Sequence, residues 1–331
     1  MQIAVIGAGM AGLTCARQLA THGHSVTVYE KSDSAGGRMS TRETELGGFD
    51  HGAQYFTARQ PAFQRQVATW CRAGLIDLWR ARLVTLDSGV AIAAGLSGQR
   101  FVAVPGMNAL GRHLAQDLDV RTGQRVTQIE SYHDGWLLRV SAETVAIEAS
   151  AGPFDAVIIA MPADQAAPLL AAAPMMALQA AQARLAPCWS LLLGFEQELR
   201  LGYDGAWIRN SRLAWIAHDA SKPQRRPGEH WVGHASTEWS AEHLEDDPER
   251  VKEKLLKAFH SATGSDVQPV YAAVHRWRFA QAIEPLPSAC LWDPQLRIGT
   301  CGDWFSAGLD GAGRIENAYL SAAALAESIT A

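Results

Sequence analysis

Dense runs of one charge, long apolar stretches and clustered metal-ligating residues are all scarce in this 331-residue chain. The 29 basic residues against 34 acidic ones leave a net charge of −5, and no Lys/Arg run is dense enough to track a phosphate backbone, so no nucleic-acid partner is expected. No stretch of about 18 uncharged apolar residues is present to cross a bilayer, so no membrane role is expected either. The first strand-like run follows Met1-Gln2 directly, without the basic and apolar regions of a secretory signal, and a cytoplasmic protein is expected. Cys15, Cys71, Cys188, Cys290 and Cys301 are odd in number, far apart and form no CxxC, which fits a reducing compartment and thiols used as small hydrophobes. His22 and His24 share a turn and no HExxH occurs, so no metal is expected. The absence of a GxSxG elbow excludes a serine hydrolase of that type.

What the chain has instead is glycine in a specific register. Gly7-Ala8-Gly9-Met10-Ala11-Gly12 lies between an apolar strand, Gln2–Ile6, and a helix, Gly12–His22; a second strand, Val26–Tyr29, ends at Glu30. This spacing predicts a βαβ unit that holds a dinucleotide. Gly7 permits the tight turn, Gly9 lets the backbone approach a pyrophosphate, and Gly12 lets the helix pack close to the strand. The free N–H groups of the helix N-terminus face the anion. Glu30 can accept hydrogen bonds from both hydroxyls of an adenosine ribose and would repel a 2′-phosphate.

Gly36-Gly37-Arg38-Met39 follows, a segment that a plain NAD-binding dehydrogenase does not need. With Ala16, Leu19, Gly23, Val26, Val28 and Glu30 in register, the chain resembles the FAD-binding oxidoreductases of the glutathione-reductase and amine-oxidase type. The resemblance implies FAD beside Gly7, Gly9, Met10, Ala11, Gly12, Glu30, Lys31, Gly37, Arg38 and Met39, with Arg38 as a pyrophosphate or clamp residue. It also implies that Val126 offers backbone groups to the adenine and that Met161 lies near the cofactor. A second signal, Gly302-Asp303 followed by Gly308, Gly311 and Gly313, implies an Asp303 carboxylate at the ribityl hydroxyls. A helix then starts with Arg314 and Ile315 at the flavin edge where charge gathers on reduction. No cysteine or histidine lies where the resemblance would place a flavin linkage, so the FAD is expected to be non-covalent.

The rest of the chain shows no repeat and no low-complexity linker. Helices are expected at Pro61–Cys71, Asn108–Asp117, Pro168–Arg184, Pro248–Thr263 and Gly311–Ile329. Strands are expected through Leu78–Ala93, at Gln99–Val104, Trp189–Phe195, Ala206–Ile208, Leu213–His218, Trp231–Ala235, Val270–Trp277 and Leu296–Cys301. Gln124–Ile129, Trp136–Val140 and Phe154–Ala160 read as a three-strand return to the first domain. The fold class is therefore α/β: a Rossmann-like FAD-binding domain interleaved with an α+β substrate domain that contains an antiparallel sheet. The expected boundaries are 1–57, 101–163 and 291–331 for the FAD domain and 58–100 with 164–290 for the substrate domain, the active site lying between them.

Asp50-His51-Gly52-Ala53-Gln54-Tyr55-Phe56 carries small residues that let a backbone run beside a flat ring, with Gln54 placed to orient a ring amide. Together with Gly36–Met39, Phe101–Met107, Ile158–Pro162, Gly302–Gly313, Trp231–Ser240 and His275–Ala280, this segment is similar to the renalases over the whole chain, most closely their bacterial branch. That resemblance implies an oxidase of misreduced nicotinamides, the 1,2- and 1,6-dihydro isomers of NAD(P), that returns NAD(P)⁺ and passes electrons to O2 to form hydrogen peroxide. A dihydropyridine gives up hydride without losing a proton first, so no acid or base is expected. The substrate-orienting candidates are Gln54, Tyr55, Phe56, His234 and Trp277, with Trp215 as a further aromatic wall. Arg59, Arg184 and Arg278 are candidates for the substrate's pyrophosphate.

Three alternatives remain at this point. A flavin amine oxidase would show an aromatic cage and a lysine, yet no lysine follows Lys257, and Tyr319 is the sole tyrosine after Tyr271. A flavin desaturase would carry a larger apolar substrate domain. A non-catalytic flavin or NAD redox sensor would call for an interaction domain that is not visible.

Overall fold

The computed structural model describes every residue except 88, 94–97, 143, 144, 310 and 312, and the side chains of 145–147. Ser88 within the expected Leu78–Ala93 strands, and Asp310 and Ala312 within 302–313, thus lie outside the described residues.

Gln2–Ile6 is apolar at four successive positions because both of its faces are covered. It pairs in parallel with Ser25–Tyr29 on one side and Ala156–Ile159 on the other. Asp119–Arg121, Ile298–Thr300 and the antiparallel edge strand Leu291–Asp293 complete a six-stranded sheet. Ile3 and Val5 point to one side, where they meet Leu13, Ala16 and Leu19 of the helix Met10–Thr21 and Ala322 and Leu325 of the helix Ile315–Thr330. Ala4 and Ile6 point to the other side, onto Val126, Ile129 and Leu138. Those residues belong to a separate antiparallel meander, Gln124–Tyr132, Gly135–Ala142 and Val145–Phe154. The expected three-strand return is thereby corrected. The third strand ends at Phe154 opposite Trp136, the chain turns at Asp155, and Ala156–Ile159 alone enters the parallel sheet.

A second sheet of seven strands runs in the order Tyr271–Glu284, Arg184–Phe195, Glu229–Ala235, Leu213–His218, Gly205–Ile208, Leu83–Asp87, Val90–Ala93. All its pairings are antiparallel except Gly205–Ile208 with Leu83–Asp87. Trp189, Leu191, Leu193 and Phe195 alternate onto the helix Pro248–Thr263, whose Val251, Leu255, Phe259 and Ala262 form one apolar stripe. That helix starts and stops by local chemistry. Asp247 accepts from the backbone N–H groups of Glu249 and Arg250 at 3.0 and 3.2 Å, Pro248 takes the first turn, and Gly264 closes it at φ +71°. The intervening residues of Arg184–Phe195 face the other way, toward the first sheet.

Two helix expectations change. Pro168–Arg184 is not one helix but Ala163–Leu169 and Pro174–Ala180, joined by the 3₁₀ turn Leu170–Ala172, because Pro174 cannot continue a helix and instead opens a new one. Arg184 already belongs to the long strand. The last helix begins at Ile315, since Gly311 and Gly313 sit at φ +83° and +73°, outside helical space.

The tightest backbone approach in the first sheet is at Gly12, where a Cβ would lie 1.9 Å from the Gly7 carbonyl oxygen. Gly12→Ala should therefore lower the thermal midpoint by about 5 °C or more, from about 2–3 kcal/mol of overpacking. A melting curve coincident with the wild type would contradict this packing.

Candidate functional site

The strand Gln2–Ile6 delivers the chain to Gly7, which at φ +106° leaves room for no side chain: a Cβ there would come within 2.4 Å of the Ala160 carbonyl oxygen. Gly9 is the N-cap of Met10–Thr21, with no side-chain cap and no acid in the first turn, so the helix N–H groups stay available to an anion. Nothing approaches the Cβ position of Gly9 within 4 Å, whereas Gly37, at φ +55°, stacks its own Cβ position 3.3 Å from the Gly9 Cα. The buried Glu30 carboxylate accepts from Ala8 N–H at 2.8 Å and Ser32 N–H at 2.9 Å, one oxygen each. Each oxygen keeps a second lone-pair site for a ribose hydroxyl. Met10, Ala11 and Met39 are buried beside this cradle and Lys31 is exposed at its rim. Val126 is buried, and a bulge between it and Gln128 takes the backbone there out of the ladder, next to the Gln124 N–H bond to the Glu30 carbonyl.

Arg38 and Asp303, expected to meet different parts of a cofactor, form a bidentate pair at 2.6 and 2.7 Å. Arg38 also donates to the Ala280 carbonyl at 3.0 Å, which ties the Gly36–Met39 turn to the strand Tyr271–Glu284 of the second sheet. Met161 accepts from Trp304 Nε1 at 3.0 Å, while Arg314 caps and Ile315 opens the last helix.

Residues 50–56 run between the two sheets. The Arg38 carbonyl accepts from Ala53 N–H at 2.8 Å, and a Cβ at Gly52 would lie 2.0 Å from that oxygen, so only glycine fits. Opposite this segment the second sheet presents one cross-strand row: His275 pairs with Ser190, Ser190 with His234, His234 with Trp215, and Trp215 with Trp207. Directly opposed residues share a face of a pleated sheet, so four registers align this row along residues 51–55. The His51 carbonyl accepts from Ser190 Oγ at 2.7 Å, Trp277 Nε1 at 3.0 Å and His234 Nε2 at 3.3 Å. The His51 ring stacks on Trp277 at 5.3 Å and meets His275 edge-on at 4.7 Å, and Tyr55 meets Trp215 at 5.8 Å. Gln54 donates Nε2 to the Asp50 carbonyl, while its buried Oε1 has no partner among the described residues. Phe56 turns away. Packed on Phe63 and Phe101 at 5.9 and 5.8 Å, it belongs to the core, and Tyr55 is the ring of this segment that meets Trp215.

Three charges missed in the sequence, Asp219, Lys222 and Arg225, gather around Asp50 at the start of this segment. Asp50 accepts from Thr41 Oγ1 at 2.7 Å and Met107 N–H at 2.9 Å with one oxygen, and from Lys222 at 3.1 Å and Arg225 at 2.6 Å with the other. Lys222 also donates to Asp219, which accepts from Asp50 N–H. Burial alone would raise the Asp50 carboxyl, but Lys222 and Arg225 outweigh it and hold it at about 2; burial and the neighbouring Asp50 push Asp219 up. Burial lowers His51, His234 and His275 to about 4, with Arg42 adding to the effect at His51 and the His51 ring at His275.

Not every candidate converges. Arg184 and Arg278 are exposed and paired with Glu284 and Glu245, and Arg59 contributes a backbone N–H to the buried Glu316 at 2.8 Å. His230 and His234 have HxxxH spacing, but on a strand four residues span about 13 Å, so the pair cannot share an ion.

Residues 5–70 match the NAD(P)-binding Rossmann-like domain, and residues 79–330 match the flavin containing amine oxidoreductases. The chain belongs to that flavin containing amine oxidoreductase family. It is thus a flavoprotein oxidoreductase with FAD as cofactor, and the open Gly9, the uncapped helix and the unpaired Gln54 Oε1 fit such a group. Over 71 residues it is 41% identical to 4,4'-diapophytoene desaturase (4,4'-diaponeurosporene-forming) of Staphylococcus aureus (strain MRSA252), a match spanning 22% of this chain and 14% of that enzyme. Among solved structures, a protein assigned as a protoporphyrinogen oxidase from Exiguobacterium sp. 255-15 has a TM-score of 0.78 at 12% identity, covering 99% of this chain and 98% of that one. A putrescine oxidase variant with redesigned cofactor binding has a TM-score of 0.71 at 14% identity, covering 99% and 98%. These likenesses show the shared fold. In the described residues no helix is long and apolar enough to cross a membrane.

Two measurements follow for this flavoprotein. Glu30→Ala removes a charged acceptor and orphans two N–H groups, so apoprotein titrated with FAD should bind about ten to a hundred times more weakly, from about 1.5–3 kcal/mol. Equal affinity would remove Glu30 from the cradle. The three histidines are depressed from 6.5 to about 4 on folding, so their contribution is complete above pH 6.5 and is lost as the pH falls toward 4. The thermal midpoint should drop across that window, and His234→Asn should flatten the drop; an unchanged slope would exclude His234 as a cause.

Proposed function

We propose that this flavoprotein is a renalase-like oxidase that takes hydride from 1,2- and 1,6-dihydro-NAD(P) and returns NAD(P)⁺. The observation that carries the reading is the state of the titratable groups along residues 50–55. His51, His234 and His275 are neutral at pH 7, and the charges of Asp50, Asp219, Lys222 and Arg225 are spent on each other. Such a lining suits a substrate from which no proton need be taken. FAD, when bound, would supply the hydride acceptor, and O2 would be the final oxidant, leaving as hydrogen peroxide with one proton from the transferred hydride and one from solvent.

The chain's own residues then bind and orient. Tyr55 and Trp277 wall a flat ring, and the unpaired Gln54 Oε1 accepts from an amide N–H. His234 acts indirectly, since its Nε2 holds the His51 carbonyl together with Ser190 and Trp277. The covered, close-packed junction excludes water from the reacting ring.

Amine oxidation is the competing reading, and one observation favours it. Lys222 is a fully buried lysine beside residues 50–55, upstream of the region where the sequence suggested looking. Its Nζ is shared between Asp50 and Asp219, so it is already engaged as part of the scaffold.

Mixing the oxidised holoenzyme anaerobically with each isomer should bleach the flavin within seconds, and air should restore the colour with formation of peroxide. Ordinary NADH should react far more slowly, because about 1 Å of misplacement can cost about a hundredfold in rate. Reduction should be nearly flat between about pH 6 and 9, where the lining histidines stay neutral. Bleaching by benzylamine or a catecholamine, with none by the isomers, would overturn the reading.

A further inference from the structure

The cross-strand row ends in an aromatic cluster that keeps two buried donors unspent, although Trp79 Nε1 donates to Ser221 at 3.0 Å. Trp215 is 7% exposed and touches Tyr55, Trp79 and Trp207, yet its Nε1 has no partner among the described residues. Arg100 lies over the rings of Tyr55 at 5.5 Å and Trp207 at 5.8 Å. It spends one nitrogen on the Gly98 carbonyl at 3.3 Å, and its buried Nε has no partner. Of the other sheltered arginines of the junction, Arg38 meets Asp303, Arg225 meets Asp50 and Arg276 meets Glu245, while Arg42 lies against the His275 ring. Among the described residues Arg100 meets no carboxylate.

Indole and guanidinium nitrogens donate and cannot accept, so the partner that satisfies both is an oxygen acceptor. A permanent cation without a counter-ion, seated on two aromatic faces, favours an acceptor that is also anionic. Arg100 immediately precedes Phe101, whose backbone pairs with Phe56, which fixes the cluster at the end of residues 50–56.

We propose that Arg100 and Trp215 form a subsite for the phosphate oxygens of the substrate dinucleotide. This rests on the nicotinamide reading above and replaces Arg184 and Arg278, whose charges are already paired, with an arginine the sequence did not single out.

The test uses the holoenzyme and two binding measurements. Calorimetric titration with inorganic pyrophosphate asks whether the anion site exists. Perturbation of the flavin absorbance by NAD⁺ and by nicotinamide riboside, which lacks phosphate, asks whether it serves the substrate. In Arg100→Met, pyrophosphate and NAD⁺ should bind about tenfold to a hundredfold more weakly, while the riboside stays within about twofold. Arg100→Lys should recover part of the loss, and Trp215→Phe, which keeps a ring without the donor, should show a smaller loss of the same pattern. Equal weakening of NAD⁺ and the riboside, or no weakening of NAD⁺, would overturn the subsite, as would wild-type enzyme that does not bind pyrophosphate. An unchanged flavin spectrum and melting midpoint in Arg100→Met exclude misfolding. Pyrophosphate binding that depends on Arg100, with no bleaching by either isomer, would sink the nicotinamide reading and leave the anion site standing. Bleaching by the isomers with Arg100→Met indifferent to pyrophosphate and NAD⁺ would sink the subsite alone.

Discussion

One buried carboxylate joins the two sheets. Asp50 turns one oxygen toward Thr41 and Met107 in the first half of the fold and the other toward Lys222 and Arg225 in the second. Buried ion pairs add little net stability against an apolar alternative, because desolvating each charge offsets most of their attraction. Their consequence is geometric. With four donors on its two oxygens the carboxylate has one allowed position, and the backbone that follows it inherits that position.

The next carbonyl shows how the constraint propagates. His51 offers two lone pairs, and three donors from three strands converge on them, the third at a longer 3.3 Å. The Ser190 hydroxyl, the His234 Nε2 and the Trp277 Nε1 are thereby engaged in holding the backbone. The same burial that secures those bonds keeps the imidazoles neutral, since a charged ring there would face desolvation beside Arg42 or Lys222. A rigid junction and neutral imidazoles are thus two results of one arrangement.

Legibility in the sequence follows how local each feature is. The Gly7, Gly9, Gly12 and Glu30 pattern was readable because every member acts through its own backbone or a neighbour a turn away, and the structure assembles them as one cradle. A close backbone passage at residue 52 was readable from its glycine, since a Cβ there would strike the Arg38 carbonyl. The Arg38 to Asp303 pair was not, because two residues 265 apart were each read only against a ligand, and the fold alone brings them to each other. Lys222 and Arg225 sit in a stretch, 221–225, that looks like an ordinary polar loop; only burial gives them meaning. The start of the last helix was misplaced because glycine-rich sequence before a helix does not say which glycines take positive φ. The row from His275 to Trp207 depends on four strand registers, which no single segment encodes.

That row is chemically divided. At the His275 end its polar groups are consumed by the His51 carbonyl and by ring contacts, and the bonds are complete. At the Trp207 end the rings pack on one another but the Trp215 and Arg100 donors are not satisfied. A folded core seldom keeps buried donors without acceptors; Arg225 Nε and His260 Nε2 also lack a partner among the described residues, but Trp215 Nε1 and Arg100 Nε share one cluster at one end of one row. The His275 half has its side-chain bonds to the His51 carbonyl made, whereas the Trp207 half keeps donors that an acceptor would satisfy. A dinucleotide substrate needs the same asymmetry, a flat ring held against a rigid junction and an anionic arm held by cationic donors some distance along the same surface.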